Sequence, residues 1–167
     1  CPRPRDDAAL HPECRRDDIL SGSSPHTVPR PTLFLIDGSS QMYRAYHAIR
    51  GLTGPDGRST NAIYGFSTML RKLLQDHRPA FIAAAFDLAG PTFRSELSAE
   101  YKANRAPMPA DLVEQVPLVH EACQALGVPI VTCVGFEADD VIGTVAMRAV
   151  AQDFDVAIVT GDKDFFQ

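Results

Sequence analysis

An α/β fold, a parallel sheet flanked by helices on both faces, is predicted by three observations. Four short segments are apolar almost throughout, Leu33-Phe34-Leu35-Ile36, a run over 80–86, a run over 128–134 and Val156-Ala157-Ile158-Val159, as strands buried on both faces are. Segments with helical spacing of their apolar residues separate them, the order that a parallel sheet with crossover helices requires. Each apolar run is also followed by acids: Asp37, Asp87, the Glu137-Ala138-Asp139-Asp140 cluster, and Asp162 with Asp164.

The first strand runs into Asp37-Gly38-Ser39-Ser40, where Ser39 or Ser40 can cap a helix carrying Met42, Ala45, Tyr46 and Ile49 on one face. Gly54-Pro55-Asp56-Gly57 is a turn signal. A second helix is expected over 61–76, with Ile63, Phe66, Leu70, Leu73 and Leu74 on its apolar face and Arg71 and Lys72 off it. After the second strand, 90–109 reads as a polar, proline-flanked insertion. A helix over 110–126 follows, kinked or started by Pro117 and stopped by Gly127. The third strand leads to Gly135-Phe136-Glu137-Ala138-Asp139-Asp140, where Asp139 or Asp140 can cap a helix reaching about residue 151. The fourth strand ends in Thr160-Gly161-Asp162-Lys163-Asp164.

At 167 residues the chain fits one domain. Residues 1–31 mix Pro, Arg, Asp, Ser and Gly without apolar periodicity, and read as a disordered or extraneous tail ahead of a domain over 32–167. His11 and Cys14 in that tail lack the second pair that a zinc site needs. Neither a bilayer-spanning run nor a signal-peptide pattern is present, which predicts a soluble, cytoplasmic protein. Cys123 and Cys133 lie in apolar contexts and are expected to be reduced core thiols. The net charge of -5 argues against a generic basic coat for nucleic acid, although a charge total hides its distribution.

Distribution is where the chemistry lies. Ligands of open parallel sheets collect outside the carboxyl ends of the strands, so Asp37, Asp87, Glu137, Asp139, Asp140, Asp162 and Asp164 are expected to converge there. Like charges about 4 Å apart repel by roughly 4 kcal/mol at an effective dielectric near 20, so the group calls for bound protons or a cation. All-oxygen donors suit Mg²⁺ or Mn²⁺. Two such ions would support phosphodiester hydrolysis, with the acids as ligands instead of nucleophiles. Any one of these acids alone reads more readily as a helix cap or solvated turn than as a ligand; their recurrence at four strand ends reverses the balance in favour of the metal centre. The insertion adds Arg94, Lys102 and Arg105, which can meet phosphates, and Tyr101, a stacking face for an unpaired base. Tyr43 and Arg44 read as core or substrate-facing with equal weight.

These blocks together resemble a known family. Leu35-Ile36-Asp37-Gly38-Ser39-Ser40, Tyr43-Arg44-Ala45-Tyr46-His47-Ala48, Phe86-Asp87, Thr92-Phe93-Arg94, Tyr101-Lys102-Ala103-Asn104-Arg105, the 135–144 block and Thr160-Gly161-Asp162-Lys163-Asp164 are similar, in order, to the 5′-nuclease domain of bacterial DNA polymerase I. That domain belongs to the flap endonuclease superfamily. The resemblance implies a PIN-like fold and metal-dependent 5′→3′ exonuclease and flap endonuclease action on DNA or RNA-primer hybrids in replication and repair, in the bacterial nucleoid. It implies that Asp37, Asp87, Glu137, Asp139, Asp140, Asp162 and Asp164 belong to the metal centre. Tyr101, Lys102 and Arg105 match a helical gateway for the 5′ strand, with Lys102 and Arg105 as its catalytic cations and Lys102 on the scissile phosphate. The family continues with further Asp ligands and a helix-three-turn-helix segment that are missing here, so 32–167 reads as the amino-terminal part of such a domain, with a polymerase domain left open for the parent protein; Phe165-Phe166 departs from the smaller aliphatic pair usual there.

Three other readings compete. One is a non-catalytic nucleic-acid-binding module that keeps the fold without turnover, and another is a PIN-type ribonuclease, against which the Tyr101-to-Arg105 block speaks. The third, a phosphotransferase with Asp37 as nucleophile, needs a second Asp two residues later as general acid, and Ser39 stands there.

Overall fold

The computed structural model describes residues 29–97, 106–163 and 165. Strands β1 (Thr32–Asp37), β2 (Phe81–Ala85), β3 (Ile130–Val131) and β4 (Asp155–Val159) form a parallel sheet in the order β3-β2-β1-β4. Leu33 pairs with Phe81 on one side and with Val156 on the other, so β1 is central and its carboxyl end is flanked by those of β2 and β4. The helices are α1 (Gly38–Ala48), α2 (Asn61–His77), α3 (Phe93–Leu97), α4 (Ala110–Val113), α5 (Val116–Ala125) and α6 (Ala138–Val150).

Strand alternation explains the two layers. Ile36, Ala84 and Phe86 face a core with Met42 of α1, Phe66 and Leu70 of α2, and Val119 and Cys123 of α5. Leu35 and Ala85 face the opposite way, onto Ala138 and Ile142 of α6. Both sets of strand side chains are therefore covered, as the unbroken apolar runs predict. Among the described residues, no helix is long and apolar enough to cross a membrane.

Several local expectations are corrected. Helix α1 starts at Gly38, so its capping residue is Asp37, whose carboxylate accepts the Ser40 N–H at 2.9 Å; neither serine hydroxyl fills that role. Pro117, by contrast, marks a helix start as expected: it lies in the first turn of α5 and has no N–H for the carbonyl a turn earlier, so the 110–126 segment is divided into α4 and α5 there. The break presents Gln115 to the start of α2. Its buried Oε1 accepts the N–H groups of Ala62 at 2.9 Å and Ile63 at 3.2 Å, doing for α2 what the Thr60 side chain does not.

The third strand is only two residues long. Pro129 can offer β2 only its carbonyl, which accepts the Ala84 N–H at 2.9 Å, and beyond Val131 the chain turns toward Gly135 at φ 81°. Cys133 therefore lies exposed in a turn, against the expectation of a core thiol. Cys123 meets that expectation: it is fully buried, and burial pushes its thiol up to about 11.

Gly38 has a packing reason. A Cβ there would stand 2.4 Å from the edge of the Phe86 ring. Gly38→Ala is expected to cost about 1–3 kcal/mol in chemical denaturation, the range for forcing extra volume into a packed core. An unchanged midpoint would show that Phe86 can move aside freely.

Candidate metal centre

The sheet order and the helix starts bring most of the sequence-identified acids to one edge. Asp37 ends β1 and is 3% exposed. Its Oδ1 accepts the Ser40 N–H, and its Oδ2 accepts the Thr160 hydroxyl at 2.7 Å. Burial raises the Asp37 carboxyl above the ordinary carboxylate range. The Ser40 and Thr160 donors pull it back, and the nearby negative charges of Asp87 and Asp162 push it further up. Asp37, Asp87 and Asp162 thus share one electrostatic environment.

Asp87 follows β2 and links two helix starts. Its N–H donates to the Ser39 hydroxyl at 3.0 Å, and its Oδ1 accepts the N–H of Ala138, the first residue of α6, at 2.7 Å. Asp162 is half-buried, and its N–H donates to the Thr160 hydroxyl at 3.0 Å. Thr160 therefore orients two acids with one side chain. It stands inside the Thr160-to-Asp164 block but was not singled out among the expected site residues. Its position directly after an apolar strand, two residues before an acid, is the available signal.

At the start of α6 the capping residue is Glu137, in place of the expected Asp139 or Asp140. The Asp140 carboxylate reaches back to the Glu137 N–H at 3.1 Å, and the positive end of the helix dipole favours all three acids. Asp139 is half-buried on the same first turn. Arg94, expected at the nucleic acid, is joined to this cluster. Its Nη1 and Nη2 donate to the two oxygens of Asp140, each at 2.6 Å, and Nη1 also approaches Glu137 at 3.4 Å. The guanidinium lies 4.9 Å from the centre of the Phe93 ring, which packs on Phe136 at 5.3 Å. The Phe93 N–H donates to the Gly135 carbonyl at 2.9 Å, so α3 is fastened to the acidic loop at several points.

Tyr43 is half-buried against the core, and its ring lies 6.4 Å from His47. Arg44 is exposed and runs beside Gly161, where an added Cβ would stand 3.6 Å from its Cδ. Tyr101, Lys102, Arg105 and Asp164 lie outside the described residues, as do residues 1–28 of the expected tail.

The donor chemistry fits a hard divalent ion: the converging groups are carboxylates, and repulsion among them is what a cation would relieve. Among the described residues, no three His, Cys, Asp or Glu side chains are grouped closely enough to hold an ion as they stand. Asp87 is hydrogen-bonded to the start of α6, and Asp140 to Arg94. Thr160→Val is expected to weaken Mn²⁺ binding about tenfold, the lower end of the range for losing a partner of a metal-binding group. Without the hydroxyl Asp37 holds its proton to higher pH, so binding should also fail at a higher pH on acidification. Thr160→Ser should restore both; equal titrations for all three proteins would remove Thr160 from the site.

Comparison with known proteins agrees with the fold. Residues 32–167 match the family described as 5′-3′ exonuclease, N-terminal resolvase-like domain. DNA polymerase I of Pseudomonas aeruginosa is 50% identical over 135 residues, 81% of this chain and 15% of that protein. DNA polymerase I of Mycobacterium tuberculosis is 44% identical over 152 residues, 89% of this chain and 17% of that protein. The chain thus spans a small part of these curated relatives. A T5 5′-exonuclease structure with bound divalent zinc ions superposes with a TM-score of 0.64 at 20% identity, covering 81% of this chain and 51% of that one. At that identity the likeness speaks for the α/β fold, which is the class expected from the sequence.

Proposed function

Because the chain belongs to the family of 5′-3′ exonuclease N-terminal, resolvase-like domains, we propose that it supplies the acidic centre of a divalent-metal-dependent 5′→3′ exonuclease and flap endonuclease. The observation that carries this reading is the shared environment of Asp37, Asp87 and Asp162 at the carboxyl edge, next to the Glu137-Asp139-Asp140 helix start. Asp37, Asp87 and Asp162, with Glu137, Asp139, Asp140 and Asp164, would hold Mg²⁺ or Mn²⁺, two ions in all. Ions bound there supply an activated water and charge stabilisation at the leaving oxygen. The chain's own part is to keep the acids ionised and oriented. Thr160 and the Ser40 N–H stabilise the charged form of Asp37, and Arg94 holds Asp140.

Arg44 beside the Asp162 loop, with Tyr101, Lys102 and Arg105, would meet the strand, and Lys102 would contact the scissile phosphate. The substrates are DNA with a 5′ end or flap, or an RNA-primer hybrid, as in primer removal and repair in the bacterial nucleoid. The curated relatives are DNA polymerases I, which supports a parent protein with a polymerase domain. The T5 5′-exonuclease of similar fold binds divalent ions, which supports a divalent-metal centre here.

Incubation with an end-labelled 5′-flap DNA and Mg²⁺ is expected to release the flap, and EDTA to prevent it. No cleavage by this chain, and none by a version extended through the following segment of its parent protein, would overturn the reading. A non-catalytic nucleic-acid-binding module is favoured by one observation, the Arg94 guanidinium that already holds both oxygens of Asp140 in the acidic cluster. In that case Asp139→Ala would leave DNA binding unchanged and the chain would bind Mn²⁺ only weakly.

A further inference from the structure

We propose that Ser39 is a positioning residue for the metal centre: by holding the Asp87 N–H, its hydroxyl fixes the Asp87 carboxylate and, through it, the start of α6. The proposal rests on the nuclease reading above, which places an ion at Asp87.

Two neighbouring residues at the start of α1 are fitted to two neighbouring residues at the end of β2. Gly38 lies against the Phe86 ring, where a Cβ would stand 2.4 Å from it, and the Ser39 Oγ accepts the Asp87 N–H at 3.0 Å. The first fit allows the second, because a helix start held farther from Phe86 would leave so short a side chain out of reach of that N–H. Asp87 then reaches the other layer of the fold, where its Oδ1 accepts the Ala138 N–H at 2.7 Å. Met42 of α1 packs with Phe66 and Phe86 in one layer, whereas Ala138 of α6 packs with Leu35 and Ala85 in the opposite one. Asp37 at the start of α1 and the Glu137-Asp139-Asp140 group at the start of α6 are thereby registered to each other by a line of hydrogen bonds, from Ser39 to Asp87 to Ala138.

The bond from Asp87 to Ser39 is exposed to solvent. Water can take its place at the Asp87 N–H, so the hydroxyl adds little to the stability of the fold. What it adds is direction, since a water is not tied to α1. Carboxylates that ligate a metal depend on such outer partners, and losing one weakens ion binding by about 10–100-fold.

The test compares the full chain with Ser39→Ala, which removes the hydroxyl at nearly the same size, and with Ser39→Thr, which keeps it. In EDTA, Ser39→Ala is expected to shift the melting temperature by no more than about 2 °C, as an exposed substitution does. It is also expected to speed amide exchange at Ala138, which Ser39 holds through Asp87. Mn²⁺ titration followed by electron paramagnetic resonance should show binding weakened about tenfold, and Ser39→Thr should restore both readouts. Unchanged exchange and unchanged Mn²⁺ affinity in Ser39→Ala, or a large fall in its melting temperature, overturns the positioning role while the nuclease reading stands. Both changes at a steady melting temperature, with no flap cleavage by the unsubstituted chain or its extended version, sink the nuclease reading and keep the positioning role. No Mn²⁺ binding by the unsubstituted chain overturns both.

Discussion

Asp37→Asn is expected to reduce Mg²⁺-dependent flap cleavage by at least about a hundredfold, the upper end of the loss found when only a supporting partner of a metal ligand is removed. The same change is expected to raise the melting temperature of the ion-free protein. Asp37 is buried at the end of the central strand, and burial together with Asp87 and Asp162 raises its carboxyl pKa. A raised folded-state value means that the folded protein binds this proton more tightly than the unfolded chain does. Ionised Asp37 therefore costs stability at pH values above its folded pKa, and the cost disappears as pH falls through that value. Asn keeps the shape and the Ser40 bond without the charge, so in EDTA its advantage should be full at pH 7 and vanish on acidification. Each kcal/mol corresponds to about 2–4 °C in a domain of roughly 150 residues. A melting temperature well below that of the parent protein in EDTA would make Asp37 structural instead.

Arg94→Met is expected to destabilise the domain by about 2–3 kcal/mol. Its fork meets both oxygens of Asp140, and the side chains of Arg94 and Asp140 are 33% and 19% exposed. Removing one partner of a buried pair costs about 3–5 kcal/mol, and the exposure of the guanidinium moderates that figure. Asp140 and Glu137 would both lose the guanidinium that meets them. A double-mutant cycle with Asp140→Asn should give a coupling of about 1–3 kcal/mol, and Arg94→Lys should recover only part of it because an ammonium cannot reproduce the fork. Unaltered stability with weakened DNA binding would instead return Arg94 to the phosphate-contacting role expected from the sequence. In the folded chain Arg94 offsets charge within the acidic cluster, so a metal ion held by Asp140 under the proposed function would compete with an internal cation.

What could be read in advance divides along a physical line. The sheet and its two layers were legible because Leu33 to Ile36 is apolar on both strand faces, and period and burial are local properties of the chain. Convergence of Asp37, Asp87 and Asp162 followed from a rule about strand ends, which needs only the element order. The helix caps were misassigned because a cap depends on where the helix starts: moving the start of α1 to Gly38 passes the role from a serine to Asp37. The pairing of Arg94 with Asp140 joins residues 46 apart in sequence. No spacing rule reaches that distance, and an arginine beside an acidic cluster reads equally well as a phosphate ligand. The Thr160 contact to Asp37 spans 123 residues and was hidden for the same reason. Cys133 was misread because the third strand ends early at the proline-led sheet edge.

Mn²⁺ titration followed by electron paramagnetic resonance, with the parent chain and Asp37→Asn compared side by side in the presence of 5′-flap DNA, tests most directly whether these acids form a metal centre. Saturable binding that Mg²⁺ displaces and that Asp37→Asn loses is the predicted result. Binding that survives Asp37→Asn unchanged, or no binding by the parent chain, would contradict it.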